Sequence, residues 1–366
     1  MGQLFGPSDP ATDARWPQTS TRKGFFTDTS ICIGCKACEV ACKEWNHVPS
    51  DPDPQLLGSS YDNTGGLGAN TWRHVAFVEQ DADRISAARR SGQALVDLGM
   101  PSVGPPAARV GSPGSPGSPG SPGSPGNAGG RDLHDAATLG PPVSSGVPGD
   151  SPTDTAPPDT PEFRWLMSSD VCKHCTHAGC LDVCPTGALF RTEFGTVVVQ
   201  DDVCNGCGTC VAACPFGVIE RRSDGTAGPG EQRPQQESLR ETGIAQKCTL
   251  CYDRLTDGQT PACAQTCPTE SIKFGDHEDM VATARERVAQ LHEQGMTEAR
   301  LYGANELDGV GGTGSVFLLL DEPETYGLPP DPRVPTADLP QMFARAGLAA
   351  AGMLAAAAVA FAGRRR

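Results

Sequence analysis

The stretch Cys204-Asn205-Gly206-Cys207-Gly208-Thr209-Cys210-Val211-Ala212-Ala213-Cys214-Pro215 decides how this 366-residue chain is read. It spaces four cysteines as C-x2-C-x2-C-x3-C and follows the last with proline. Outward from it, the same spacing recurs at Cys32, Cys35, Cys38 and Cys42. Just upstream, Cys172, Cys175, Cys180 and Cys184 are spaced C-x2-C-x4-C-x3-C, with Pro185 behind them. Downstream, Cys248, Cys251, Cys263 and Cys267 are spaced C-x2-C-x11-C-x3-C and end on Pro268. These four groups use all 16 cysteines of the sequence.

Three chemistries compete for such groups. Disulfides fit poorly, because a cysteine two residues from its neighbour is hard to bridge with good geometry. No apolar stretch opens the sequence, so passage of this chain by itself through an oxidising secretory route is not expected. Zinc uses two C-x2-C pairs per ion and has no place for a third cysteine at the same interval. A zinc-stabilised structural protein is the alternative of a different class. The run C-x2-C-x2-C-x3-C-P is the bacterial ferredoxin spacing for [4Fe–4S] cubes. Three closely spaced thiolates wrap one cube on a tight turn, and the fourth, on the following helix, points to a neighbouring cube. Proline after that cysteine lacks an N–H and turns the chain out of the site. Gly34, Gly206 and Gly208 let backbone amides approach the sulfides. Sixteen thiolates at four per cube predict four [4Fe–4S] clusters, and since no group lacks a cysteine, no three-iron cluster is expected.

Exchange of the fourth ligand gives an assignment by residue. One cube takes Cys172, Cys175, Cys180 and Cys214, and its partner takes Cys204, Cys207, Cys210 and Cys184. The first and last groups have no neighbour of their own and should pair with each other. That gives Cys32, Cys35 and Cys38 with Cys267, and Cys248, Cys251 and Cys263 with Cys42. The expected fold is α+β: two ferredoxin-like two-cluster halves with long loop insertions, plus a C-terminal single helix.

The rest of the composition fits this. Lys plus Arg number 29 against 44 Asp plus Glu, a net charge of −15, which argues against a phosphate-binding surface and so against nucleic acid. Hydrophobic residues are 37% and aromatics 5%, beside 44 Gly and 33 Pro, so one large conventional core is not expected. Residues 101–160 hold 14 Pro, 12 Gly and 9 Ser, which marks a disordered insertion rather than a packed unit. The expected division is an N-terminal arm at 1–24, a cluster domain at 25–100 and 162–335, an insertion at 101–161, and an anchor helix with a basic tail at 336–366.

Short elements can be placed around the cysteines. Phe25 to Ser30 and Trp72 to Gln80 read as strands, as do Thr196 to Gln200 and Val316 to Leu320. A helix carrying Val40 and Trp45 follows the first motif. Asp276 reads as an N-cap, Met280, Ala284, Val288 and Leu291 sit at helical spacing, and Gly295 closes that helix. Residues 222–243 form a second polar loop. Ala346 to Ala362 is 17 residues without charge, flanked by Arg345 and Arg364 to Arg366. It reads as a single membrane span with a cytoplasmic basic end, which puts the cluster domain on the outer face. His174 and His177, inside a group that already has four cysteines, are expected to be exposed or amide-bonding rather than ligands.

Nothing in the chain suggests a nucleophile, a general base or a substrate pocket, so four clusters imply an electron relay. Phe25 to Asn46 (FFTDTSICIGCKACEVACKEWN), Cys172 to Cys184, Lys247-Cys248-Thr249-Leu250-Cys251 and Gly309-Val310-Gly311-Gly312-Thr313 resemble the iron–sulfur (beta) subunit of respiratory formate dehydrogenase. The resemblance covers about residues 24–80 and 162–362, and the two Gly/Pro-rich loops depart from it. It implies a non-catalytic subunit in a three-part bacterial complex. A molybdopterin catalytic (alpha) subunit, with molybdenum or tungsten, would oxidise formate. A membrane cytochrome b (gamma) subunit would receive the electrons and reduce quinone. The family subunit is exported already folded with its catalytic partner, to the outer face of the cell membrane. The four-motif set alone is shared with the corresponding subunits of other molybdopterin oxidoreductases and of hydrogenases.

Overall fold

The computed structural model describes residues 15–16, 20–50, 61–62, 64–99, 163–223 and 242–363. The insertion expected at 101–161, most of the N-terminal arm, the centre of the 222–243 loop and the terminal arginines lie outside the described residues.

In chain order the elements are β1 (Lys23–Asp28), α1 (Ala37–Trp45), β2 (Arg73–Asp81), α2 (Ala82–Asp97), β3 (Phe163–Val171), α3 (Gly179–Asp182), β4 (Leu189–Arg191) and β5 (Val197–Val199). They continue with α4 (Thr209–Ala213), β6 (Glu220–Arg221), β7 (Ala245–Gln246), α5 (Tyr252–Thr256), α6 (Ala262–Gln265) and β8 (Ile272–Asp276). Last come α7 (His277–Glu293), β9 (Arg300–Tyr302), β10 (Ser315–Leu319) and α8 (Leu339–Gly363). The fold is mixed α and β.

Its centre is a four-stranded sheet in the order β8-β1-β10-β9. β1 runs parallel to β10 and antiparallel to β8, so the first strand of the domain is clamped between two of the last. Phe25 and Phe26 in β1 and every residue of β10 are buried, which is why these short β-branched and aromatic runs pair where they do. Phe25 meets Phe274 across β1 and β8, ring centroids 5.8 Å apart and edge to face. α7 covers the sheet with Ala284, Val288 and Leu291, one face at a spacing of four and three. Asp276 precedes α7 as expected, but its carboxylate binds Lys23 and Thr21 instead of capping the helix amides.

The insertion is closed at its base. β2 and β3, on either side of it, pair antiparallel over nine residues, from Arg73 opposite Val171 to Asp81 opposite Phe163. α2 was not expected. It starts where Asp81 Oδ1 accepts from the Arg84 amide at 2.9 Å and buries only Ile85, Ala88 and Gly92. β4 and β5 form the hairpin between the second and third motifs.

The short helices that follow the cysteine turns pack in pairs, α1 against α6 and α3 against α4. A Cβ on Gly179 would lie 2.7 Å from the Ala213 carbonyl, so only glycine allows α3 and α4 this close. Two apolar cores result. The large one holds the sheet and α7. A small one gathers Ala178, Leu189, Val197, Ile219 and Ala245 around the second and third motifs.

α8 extends beyond the uncharged 17-residue run, through Arg345 back to Leu339. Its apolar segment Gln341–Ala362 is 22 residues, exposed throughout, and long and apolar enough to cross a membrane. At about 1.5 Å per residue such a segment matches the ~30 Å hydrocarbon core.

Candidate metal centres

The first C-x2-C turn of each motif is made the same way. The residue before the second cysteine has a positive φ: 65° at Gly34, 44° at His174, 72° at Gly206 and 61° at Leu250. This curls the pair so that thiols and amides face a common point. Glycine adopts it freely, whereas a side chain costs about 1–2 kcal/mol. Burial holds the two exceptions in place, with Leu250 and His174 both inside the protein. His174 is thus not exposed. It is amide-bonded, its Nδ1 accepting from the Val197 N–H at 3.2 Å.

The cysteines converge across motif boundaries. Cys172, Cys175, Cys180 and Cys214 line one cavity, with Lys173 and Lys247 in its wall. Cys32, Cys35, Cys38 and Cys267 line another, with Ser169 and Ser271. The Cys42 thiol is pushed well up by burial and then by Cys248, Cys263 and Cys251 around it. Burial pushes Cys210 up to about 11, with Cys204, Cys207 and Cys184 as its charged neighbours. In each set, three cysteines come from one motif and the last from another. Cys172 also faces Cys248 closely enough to raise its pKa, so the second and fourth motifs adjoin. Cys35 and Cys207 are the two exposed cysteines.

Thiolates crowded away from water repel one another, so these sites are built for a positive core. Burial pushes Cys175 well above the usual thiol range, with Cys214, Cys172 and Cys180 adding to it. Cys180 is driven up to about 12 by burial, with Lys247 pulling the other way. At Cys184 burial also raises the pKa, but the amides of Leu189, Thr186 and Ala188 and the Thr186 hydroxyl outweigh it and hold the thiol below its usual value.

Side-chain donors around the sulfurs were not anticipated from the sequence. Cys38 Sγ lies 3.1 Å from Ser169 Oγ, and Cys207 Sγ 3.2 Å from Thr209 Oγ1. Thr186 and Thr269 approach Cys184 and Cys267 at 3.7 and 3.8 Å. Asn46 Nδ2 reaches Cys42 Sγ at 3.7 Å and Cys251 Sγ at 3.8 Å. The visible signal was Cys-Pro-Thr, which occurs at 184–186 and again at 267–269. Buried cations were missed as well: Arg73, Lys173 and Lys247 lie inside the protein beside these thiols.

The donor set fits a cube rather than a single ion or a bridge. All 16 cysteines are unbridged. Among the described residues no three His, Cys, Asp or Glu side chains converge on one ion position. A zinc ion with Zn–S bonds of about 2.3 Å would draw its sulfurs to within about 4 Å of each other. Four separated thiols around a cavity suit a larger inorganic core.

Comparison with known proteins agrees. A family model described as a 4Fe–4S dicluster domain matches residues 163–228 and 234–277, which contain the second, third and fourth motifs. The formate dehydrogenase iron-sulfur subunit of Haemophilus influenzae is 32% identical over 330 residues, covering 89% of this chain and 73% of that protein. The nitrate-inducible formate dehydrogenase iron-sulfur subunit of Escherichia coli is 31% identical over 90% of this chain and 79% of its own length. A thiosulfate reductase electron transfer subunit of Salmonella typhi is 47% identical, but over 31% of this chain and 50% of its own. The similarity to the first two runs nearly end to end, so the chain belongs to the family of formate dehydrogenase iron–sulfur subunits, electron-transfer subunits that are not catalysts alone.

Proposed function

We propose that this chain carries four [4Fe–4S] clusters in two ferredoxin-like halves, held by the exchanged sets reasoned from the sequence. The inner half holds Cys172, Cys175, Cys180 with Cys214, and Cys204, Cys207, Cys210 with Cys184. The outer half holds Cys32, Cys35, Cys38 with Cys267, and Cys248, Cys251, Cys263 with Cys42. The observation that carries this reading is the pair of cavities, each lined by three cysteines of one motif and the last cysteine of a distant one. Each cluster, when bound, accepts and returns one electron.

The neighbouring of Cys172 and Cys248 supports one unbroken row, with the halves joined at those residues. The row then ends at the exposed Cys207 on one side and the exposed Cys35 on the other. Those ends are where partners would exchange electrons with the chain. By kinship with the formate dehydrogenase subunits, the donor is a molybdenum or tungsten pterin subunit that oxidises formate. The acceptor is a membrane cytochrome b. α8 spans the bacterial cell membrane once, with its arginine-rich end in the cytoplasm and the cluster domain, residues 25–100 and 162–335, on the outer face.

Metal and sulfide analysis of the purified complex tests this, with about 16 iron and 16 sulfide per chain expected. Half that iron, or two or more zinc per chain, contradicts it. Formate-dependent dye reduction by the co-purifying subunit tests the donor, and reduction with another substrate but not formate would reassign it.

A further inference from the structure

Arg73 opens β2 and is 1% exposed, among the largest fully buried side chains. Its guanidinium carbon lies 4.9 Å from the centre of the Phe25 ring. Nη1 donates to Ser169 Oγ at 2.9 Å and to the Ser169 carbonyl at 3.3 Å. Ser169 Oγ in turn lies 3.1 Å from Cys38 Sγ. Nε and Nη2 are buried with no hydrogen-bond partner among the described residues. The charges that act on the guanidinium most strongly are those of Cys263, Cys38, Cys248 and Cys42, and no carboxylate stands among them. Cys38 belongs to one outer set, and Cys42, Cys248 and Cys263 belong to the other.

A guanidinium without its hydrogen bonds or counter-charge is expensive to bury. Lys173, the comparable cation beside the inner half, has both: its ammonium pairs with Asp170 and donates to the Val171 carbonyl at 2.9 Å. Arg73 has hydrogen bonds from Nη1 to Ser169 alone and no carboxylate among the charges that act on it most strongly, while Nε and Nη2 are left without a partner among the described residues, near the thiols of two sets.

We infer that Arg73 is shared by the two outer clusters, donating its Nε and Nη2 hydrogens to cluster sulfur and stabilising the extra negative charge that each gains on reduction. This rests on the cysteine assignment above. The guanidinium stays protonated throughout, so the electron arrives without a proton and the effect is a raised reduction potential at both clusters. The flat, forked head can face two acceptors at once, which a lysine ammonium cannot do in the same way.

The test uses the complex with its partner subunits, titrated with redox mediators and read by EPR. Arg73→Gln should lower two of the four midpoints by at least tenfold in the one-electron equilibrium, 59 mV each, and leave the other two in place. Arg73→Lys, which keeps the charge and shortens the reach, should give a smaller fall at the same two. It should also abolish the coupling of ¹⁵N-labelled arginine to an outer cluster seen in the unsubstituted complex. Full iron with four unmoved midpoints, or an equal shift of all four, overturns the inference, as does unchanged nitrogen coupling in Arg73→Lys. If both variants lose iron, loss of the outer two clusters alone upholds it. Loss of all four would make Arg73 a residue of the fold and overturn it. Cys267→Ser separates the two readings, since a failed cysteine assignment shows there as loss of the Cys248 cluster and leaves the Arg73 midpoints to be read by themselves; fewer than about 16 iron in the unsubstituted complex would fail both.

Discussion

The two pairs of cysteine motifs are built by different means. The inner pair is local: its motifs are joined by the β4–β5 hairpin, its helices α3 and α4 touch through Gly179, and a small core of its own lies beneath. The outer pair joins Cys32 to Cys267 across most of the chain, through α1 on α6 and through β1 held between β8 and β10. The same spacing therefore has two folding requirements. One needs a hairpin; the other needs the whole central sheet, whose closure brings remote segments together at a larger entropy cost.

The sharpest way to break this comparison is to weaken each core separately. Phe25 is fully buried, packs on Phe274 and carries Arg73 on its face. Phe25→Ala should cost about 3–5 kcal/mol. It should remove the EPR signals of the outer clusters at a temperature or denaturant concentration where the inner two survive. Leu189→Ala, in the small core, should cost about 2–4 kcal/mol and reverse the order. Simultaneous loss of all four signals in both variants would mean that the two halves are one cooperative unit.

A narrower probe is Cys267→Ser. Cys267 follows the fourth motif's helix but lines the cavity of Cys32, Cys35 and Cys38. Its loss should remove the first motif's cluster, taking iron from about 16 to about 12 per chain, and spare the cluster of Cys248. Loss of the Cys248 cluster instead would refute the exchange of fourth ligands.

Much of this was legible in the sequence because metal ligands must keep fixed intervals. Two cavities are lined by thiols that the spacing put together, Cys172, Cys175, Cys180 with Cys214 and Cys32, Cys35, Cys38 with Cys267, the latter more than two hundred residues apart in number; the four-cluster assignment itself is the proposal above. β1, β2, β5 and β10 were visible through alternation or β-branched runs. α2 was not, since it buries little beyond Ile85 and Ala88 and its apolar face is too thin to show a period. Ser169 and Arg73 were invisible for a different reason: Ser169 reaches Cys38 only through the fold and Arg73 reaches Ser169 the same way, while Asn46 lies one turn after Cys42 but meets Cys251 by tertiary contact. Of the two readings open for His174, exposed or amide-bonding, the turn selects the second by placing it inside at a positive φ, with Nδ1 accepting from the Val197 amide.

The joint between β8 and α7 holds a histidine that should make the central sheet acid-sensitive. Burial, and then the charge of Arg22, lower the pKa of His277 from the usual 6.5 to about 4, although its ring bonds the Thr313 carbonyl at 2.8 Å. The neutral ring is the folded form, while the unfolded chain takes up a proton below about pH 6.5. Stability from this group is therefore complete above that pH and is lost as pH falls towards about 4. The full loss is about 3 kcal/mol. His277→Gln should flatten the fall in melting temperature between pH 7 and pH 5 relative to the parent. An unchanged slope would locate the acid sensitivity elsewhere.

The smallest effect on the clusters should come from removing α8, and the cut must be chosen from the packing. The segment just before α8 packs on α3: Val334 and Pro335 lie against Gly179, and Thr336 Oγ1 donates to Asp182 Oδ2 at 2.8 Å. A chain ending at Asp338 keeps these contacts and loses only a helix whose apolar segment is exposed throughout. Buried apolar area is what ties an element to the fold, and the apolar segment Gln341–Ala362 of α8 contributes none to the cluster domain. The shortened chain should keep its iron, its four EPR signals and its melting temperature. It should leave the membrane fraction and transfer electrons to dyes but poorly to quinone. If it stays in the membrane and reduces quinone as before, α8 is not the anchor. If its melting temperature falls, α8 packs on the inner half after all, and the two halves differ in more than their cores.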